Sequence, residues 1–220
     1  MAQKKLENLW QKGRKQMLND VTVFNIREYL SAKGDKDLGE DELRQLLSEF
    51  FCDKNPDVER FLKEQSIEFT KKNQSVTYLV FSNEDASLVG YFTITIKPIT
   101  VNAENFSNTM KRKIARVSEL DEENGTYTLS AYLIAQLGKN FKDGANEKIT
   151  GEQLLHAAVD TIKELQYMAG GMVIFLEAED NDKLMHFYED ENGFKQFDVR
   201  EMKCRDKDEI HKLVQLLKVI

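Results

Sequence analysis

"NDKLMHFYEDENGF", residues 181–194, is a motif that the rest of the chain must be arranged around. It reads as a short helix that opens at Asn181, a residue type suited to capping a helix N-terminus. The helix carries an aromatic pair, Phe187 and Tyr188, and closes on Gly193. Directly before it, "GGMVIFLEAE" (170–179) is a continuous apolar run of the kind found in strands buried on both faces. Directly after it, "GFKQFDVREM" (193–202) returns to a strand pattern, and "HKLVQLLKVI" (211–220) closes the chain without a clear period. Upstream, residues 151–168 form the longest helical pattern, with Leu154, Leu155, Ala158, Val159, Ile162 and Leu165 on one face. "TYTLSAYLIAQLGK" (126–139) is a strand apolar enough to be central.

Toward the N-terminus, "SVTYLVFSNEDASLVGYFTITIKPITV" (75–101) predicts a hairpin of two β-branched and aromatic runs around the polar turn "SNEDAS". "EDELRQLLSEFF" (40–51) is helical, with Leu43, Leu46, Leu47 and Phe50 on one side. In "NPDVERFLKEQSIEFTKKN" (55–73), Asn55 is placed to cap a helix and Pro56 to occupy its first position. "VTVFNIREYL" (21–30) begins as a strand. Residues 1–20 combine Leu6, Leu9, Trp10, Met17 and Leu18 at roughly helical spacing with Lys4, Lys5, Lys12, Arg14 and Lys15, and are expected to be a basic helical extension that either docks or captures a protein partner, or frays as a terminal extension. Residues 102–125 are a polar excursion within the domain spanning 21–220. The order of elements gives a mixed α/β (α+β) sheet in a single domain.

Composition narrows the function classes. With 41% hydrophobic and 31% charged residues among 220, and only two prolines, the chain is expected to be globular and long enough for one sizeable core. A net charge of −7 argues against general binding to a phosphate backbone, while leaving room for a local basic patch. Cys52 and Cys204 are far apart and lack metal-ligand spacing, so both are read as reduced thiols. His156, His186 and His211 fit neither a metal site nor a nucleophilic triad. With no signal-peptide pattern and no run near the ~20 apolar residues of a membrane span, the expected location is the cytoplasm, with no membrane partner.

Three stretches, in this order, resemble the GNAT superfamily of acyl-coenzyme A-dependent N-acetyltransferases. "SVTYLVFSNEDASLVGYFTITI" (75–96) is similar to the family's second and third strands, with "VGY" entering the third. "YLIAQLGKNFKDGANEKITGEQLL" (132–155) is similar to its central strand, pyrophosphate loop and following helix. There the family's Q/R-x-x-G-x-G/A turn is matched well only at Gly151, with Asn146 in place of Gln or Arg and Ile149 in place of the middle glycine. "NDKLMHFYEDENGF" resembles the family's N-x-x-A-x-x-F-Y-x-x-x-G-F, with Leu184 in place of the small residue and Gly193 one position late, which suggests a bulge after the helix. Within the superfamily, "FFCDKNPDVERFLKEQSIEFTKKNQSVTYLV" (50–80) resembles the bacterial toxin-like branch through Phe51, Cys52, Phe61 and Leu62. The resemblance covers about residues 45–200.

The resemblance implies a mostly antiparallel sheet of six to seven strands, splayed at its middle and flanked by helices. It implies acetyl-CoA as cosubstrate, with no metal. Helix-entry N–H groups lack internal partners and sit at the positive end of the helix dipole, so Ile149, Thr150, Gly151 and Glu152 would cradle the pyrophosphate, with Lys148 adding a charged contact. Ala135, Gln136, Leu137 and Gly138, at the end of the central strand, would pair with the pantetheine amides much as an added strand pairs with an open edge. Asn181 would touch the pantetheine arm, unless it only caps its helix. Tyr188 would protonate the departing thiolate, unless it only packs like Phe187. A general base is not evident. Glu177 and Glu179, read as facing opposite sides of their strand, are the nearest carboxylates, and the acidic run at 177–191 would favour a cationic amine.

The expected activity is therefore acetyl transfer to a primary amine of a small molecule or protein, by direct attack in a ternary complex. Two alternatives stay open: a non-catalytic binding or regulatory module, and a toxin-like enzyme acting on aminoacyl-transfer RNA. The acceptor, the base and a homodimeric state are not legible in the sequence.

Overall fold

The computed structural model describes residues 15–18, 20–31, 39–203 and 210–220. The path of the chain divides into two compact units, one formed by residues 1–95 and 134–162 and the other by 96–133 and 163–220.

In the first unit, β1 (Lys15–Leu18) turns into β2 (Val21–Asn25), and β2 pairs antiparallel with β3 (Val76–Ser82). The expected hairpin joins β3 to β4 (Leu88–Asn102), with Tyr78 opposite Phe92 and their rings stacked at 5.1 Å. The strand order here is β1-β2-β3-β4-β6, where β6 is Thr126–Lys139, a strand the sequence bounds correctly. Of the helical extension expected over 1–20, residues 1–14 and 19 lie outside the described residues, and Lys15–Leu18 is a strand rather than a helix.

Helices α1 (Ile26–Ser31), α2 (Glu40–Ser48), α3 (Pro56–Arg60) and α4 (Ser66–Lys71) follow, with a π-helical turn at Phe61–Gln65 between the last two. Asn55 caps α3 as expected: its side-chain oxygen accepts from the N–H groups of Asp57 at 3.2 Å and Val58 at 3.3 Å. Helix faces and strand faces meet in one cluster. Leu43, Leu47 and Leu62 are enclosed with Phe24, Phe81 and Tyr91, and Phe24 and Phe81 meet edge to face at 5.6 Å. Each such side chain contributes about 1.5–3 kcal/mol through burial. Cys52 is buried as a free thiol, and burial pushes its pKa up; Cys204 lies outside the described residues. Helix α6 (Gly151–Ala169) buries the face read from its period, from Leu154 to Ile162.

In the second unit the strand order is β6-β7-β9-β8, with β7 at Val173–Glu179, β8 at Lys195–Lys203 and β9 at Ile210–Val219. The ambiguous C-terminal run is thus a strand. It pairs antiparallel with both neighbours, which sets Glu177 opposite Gln215 and Gln215 opposite Asp198. The excursion at 102–125 holds α5 (Asn108–Ile114) and the short β5 (Leu120–Asp121), which pairs with the start of β6. With β1 and β5 counted, the mostly antiparallel sheet exceeds the six to seven strands expected. The short helix α7 (Asp182–Met185) runs on into a π-helical segment, His186–Glu191. No helix of the described residues is long and apolar enough to cross a membrane.

Candidate active site

The residues expected to hold the donor lie in the first unit, and Tyr188 and Asn181 lie in the second. In the first, β6 ends in Ala135, Gln136, Leu137, Gly138 and Lys139, all half-buried. Gly138 has a structural reason beyond close approach to a ligand: a Cβ there would stand 2.4 Å from Val58 Cγ1. The strand end is fixed by Asn140, which the sequence reading missed. Asn140 is 4% exposed, and its N–H donates to the Val89 carbonyl at 2.9 Å. Its Oδ1 accepts from the N–H of Phe51 at 2.9 Å and of Lys142 at 3.1 Å, and its Nδ2 donates to the Leu88 carbonyl at 2.8 Å. One amide thereby ties β6, β4 and the turn after α2 together.

The chain then passes through Asp143 and Gly144, both in left-handed conformation, and reaches the entry of α6. Thr150 and Gln153 form a capping box: the Gln153 side chain accepts from the Thr150 N–H at 2.8 Å, and the Thr150 hydroxyl accepts from the Gln153 N–H at 3.0 Å. Two of the helix's four orphan donors are thereby satisfied. The N–H groups of Gly151 and Glu152 are the ones left to face an anion. Ile149 is 2% exposed, so its side chain belongs to the interior and does not occupy the solvent side of this loop. Lys148 is not a free cation. Its Nζ pairs with the Asp85 carboxylate and lies 3.2 Å from Ser87 Oγ. The ammonium of Lys148 pulls the Asp85 carboxyl down to about 2. The loop fits a pyrophosphate through two backbone donors, with a lysine engaged elsewhere.

In the second unit, Asn181 caps α7, its side-chain oxygen accepting from the N–H of Lys183 at 2.9 Å and of Leu184 at 3.4 Å. The capping role is thus filled by the oxygen, and the exposed amide nitrogen is left over. Gly193 comes one position late because the helix holds a π-helical turn, which takes up more residues per turn than an α-turn. The bulge expected after the helix lies inside it. The helix then ends with Gly193 at φ 69°, its N–H donating to the Glu189 carbonyl at 3.1 Å. Asn192 braces this turn, with its Nδ2 donating to the Phe187 carbonyl at 2.8 Å. Its place as the extra residue before the glycine was the signal available in the sequence.

Tyr188 sits within the π turn, its ring edge to face with Phe187 at 5.0 Å and Phe194 at 5.9 Å. Loss of water around the phenol pushes its pKa up to about 12, so the group carries its proton throughout the neutral range. Glu177 and Glu179 are two positions apart on β7 and so share a face, which corrects the reading that set them on opposite sides. Glu177 is half-buried and accepts from Gln215 Nε2 at 2.6 Å, whereas Glu179 is exposed. His186 is exposed, with Nδ1 2.7 Å from Asp190 Oδ2, and His156 is exposed on α6. No group of three metal-ligating side chains occurs among the described residues.

No protein-family model matches the sequence, and a search of curated proteins finds no match. Solved structures do match. AtaT complexed with acetyl-methionyl-tRNAfMet superposes with a TM-score of 0.56 at 16% identity, over 89% of this chain and 94% of that one. A tyrosine-to-phenylalanine mutant of KacT gives 0.55 at 17% identity, over 91% and 95%. A tyrosine-to-phenylalanine mutant of the AtaT toxin, bound to the C-terminus of the antitoxin AtaR and acetyl-CoA, gives 0.52 at 15% identity, over 91% and 93%. The chain therefore has the fold of AtaT and KacT.

Proposed function

We propose that the protein is an acetyl-CoA-dependent N-acetyltransferase that uses Tyr188 as its acid. The observation that carries this reading is the placement of the Tyr188 phenol inside the π turn of the "NDKLMHFYEDENGF" helix, against the Phe187 and Phe194 rings, where loss of water pushes its pKa up to about 12. The neutral amine nitrogen of the acceptor attacks the thioester carbonyl carbon, the C–S bond breaks, and the departing thiolate takes the Tyr188 proton; the acylated nitrogen then sheds its extra proton to solvent, and a proton from solvent restores the Tyr188 phenol. The proton that the acceptor ammonium must lose goes to solvent or to a carboxylate of β7. The Gly151 and Glu152 N–H groups hold the donor's pyrophosphate, and the end of β6 at Ala135–Gly138 pairs with its pantetheine arm. A solved relative in fold binding acetyl-CoA supports the choice of donor.

Tyr188→Phe tests this directly. Donor affinity should stay as in the wild type while turnover falls about 10²- to 10⁴-fold. Unchanged turnover removes the tyrosine from the mechanism.

A second acceptor reading has its own observation. Helix α5 and the residues after it present Lys111, Arg112, Lys113 and Arg116, and none is ion-paired among the described residues. Such a patch on an acidic chain suits a phosphate backbone, and AtaT is seen with an acetylated aminoacyl-transfer RNA. Acetylation of charged transfer RNA by the purified protein, lost in a variant with these four residues replaced by glutamine, would establish it. Full activity on a small amine and none on transfer RNA would dismiss it.

A further inference from the structure

The second unit contains a cavity of about 310 Å³, lined in part by Glu177, to which no ligand has been assigned above. Its polar wall is built by register. Glu177 of β7, Gln215 of β9 and Asp198 of β8 are successive cross-strand partners, so three polar side chains form a row across three strands. Phe175, two residues before Glu177 and on the same face, meets Phe197 edge to face at 6.5 Å beside that row. Lys97 and Arg200 bring the opposite charge to the same cavity.

Glu177 is the residue that calls for a ligand. Its side chain is 23% exposed, and both of its recorded polar contacts converge on Oε1: Gln215 Nε2 at 2.6 Å and Arg200 Nη1 at 3.5 Å. The second carboxylate oxygen has no protein partner among the described residues. A partly buried carboxylate that keeps an open acceptor is a receptor for a charged donor, because a charge-assisted hydrogen bond in such a place is stronger than a neutral one. Aromatic rings beside it favour a cation further. The Arg200 guanidinium is 57% exposed and can turn to an anionic oxygen on the ligand. A volume near 310 Å³ is at the small end of ligand sites, the size of an amino acid rather than of a nucleotide.

We propose that this cavity binds a small zwitterion of the amino-acid class. Its ammonium sits on Glu177, its apolar body lies against Phe175 and Phe197, and its carboxylate faces Arg200 and Lys97. That this zwitterion is the amine to be acetylated rests on the acetyltransferase reading; the binding itself does not.

The test is calorimetric titration of the full chain, without donor, with L-leucine, isoamylamine (which lacks the carboxylate), isocaproate (which lacks the ammonium) and isoamyl alcohol (uncharged). L-Leucine should bind saturably, and isoamylamine should bind more tightly than isoamyl alcohol. Glu177→Gln should weaken L-leucine and isoamylamine about tenfold or more and spare isocaproate. Arg200→Gln should weaken L-leucine and spare isoamylamine. No saturable binding of either ammonium probe overturns the proposal, as does equal affinity of wild type and E177Q for L-leucine. If E177Q does not fold, equal binding of isoamylamine and isoamyl alcohol to the wild type overturns it. A protein that binds these probes but not acetyl-CoA keeps this inference and loses the acetyltransferase reading, so the two failures are distinct.

Discussion

Replacing Asn140 by alanine should destabilise the protein without touching any residue assigned to catalysis. The side chain is 4% exposed and makes its three shortest bonds to main-chain groups: the Phe51 N–H at 2.9 Å, the Leu88 carbonyl at 2.8 Å and the Lys142 N–H at 3.1 Å. Alanine removes every side-chain partner at once and has no polar atom to replace them. A buried polar group left unpaired costs about 1–3 kcal/mol, so counting only the Phe51 and Leu88 groups gives a loss of about 2–6 kcal/mol. For a chain of this length each kcal/mol is worth about 2–4 °C, so the melting temperature should fall by about 4–24 °C. Thermal and urea unfolding followed by circular dichroism measure this. Asn140→Asp sharpens the test: it keeps the oxygen that accepts from Phe51 but sets a second oxygen against the Leu88 carbonyl. It should be destabilised at neutral pH and partly recover as the carboxyl is protonated in acid. An alanine variant within about 0.5 kcal/mol of wild type would show that Asn140 does not hold the strand end, since that is the range of substitutions away from any such feature.

Gly138→Ala should cost about 1–3 kcal/mol, because its Cβ would press on Val58 Cγ1 at 2.4 Å in a filled core; Val58→Ala in the same chain should recover part of the loss, and an unaffected single variant would show that the strand end moves freely. The Asp85 carboxyl is held at about 2 by Lys148, below its ordinary value, so the stability from this pair is full above about pH 4–5 and is lost as pH falls toward 2. Asp85 is 43% exposed, which limits the effect to at most about 1 kcal/mol, and Lys148→Met should flatten the acid limb of the stability profile by that amount. Asp85→Asn should release Lys148 toward the donor phosphates and tighten acetyl-CoA binding a few-fold at low salt, read by calorimetry; unchanged affinity would mean that the lysine plays no part in the cradle. The Tyr188 phenol titrates at about 12, so turnover should show no alkaline limb from this group below about pH 10–11.

Much of the fold could be read from local pattern, because the determining signals are local. The hairpin of β3 and β4, the bounds of β6 and the buried face of α6 follow from runs of apolar residues at period 2 or 3.6, and Asn55 and Asn181 cap the helices they precede. Features that depend on partners distant in sequence were not legible. Asn140 looks like any loop asparagine until residues 89 and 52 positions away arrive as its partners. Lys148 reads as a phosphate ligand until Asp85, 63 positions upstream, takes its charge. The late Gly193 was visible as an anomaly, but a one-residue surplus can be absorbed after a helix or inside it, and only the backbone distinguishes the two. Ile149 stands where the family has its middle glycine, and whether that side chain meets the ligand or the interior depends on distant packing partners; it is buried. The capping box of Thr150 and Gln153 was visible as a spacing, and it halves the number of helix-entry donors available to an anion.

The proposed reaction depends on acetyl-CoA binding through a cradle reduced to the Gly151 and Glu152 N–H groups and the end of β6. The direct measurement is the melting temperature of the full chain against acetyl-CoA concentration up to several millimolar. A ligand at about 100 times its Kd stabilises by about 2.7 kcal/mol, which for a chain of this length is a rise of about 5–10 °C. The melting temperature should rise with the logarithm of concentration and keep that rise in Tyr188→Phe; a melting temperature that does not move at millimolar acetyl-CoA would rule out the cradle.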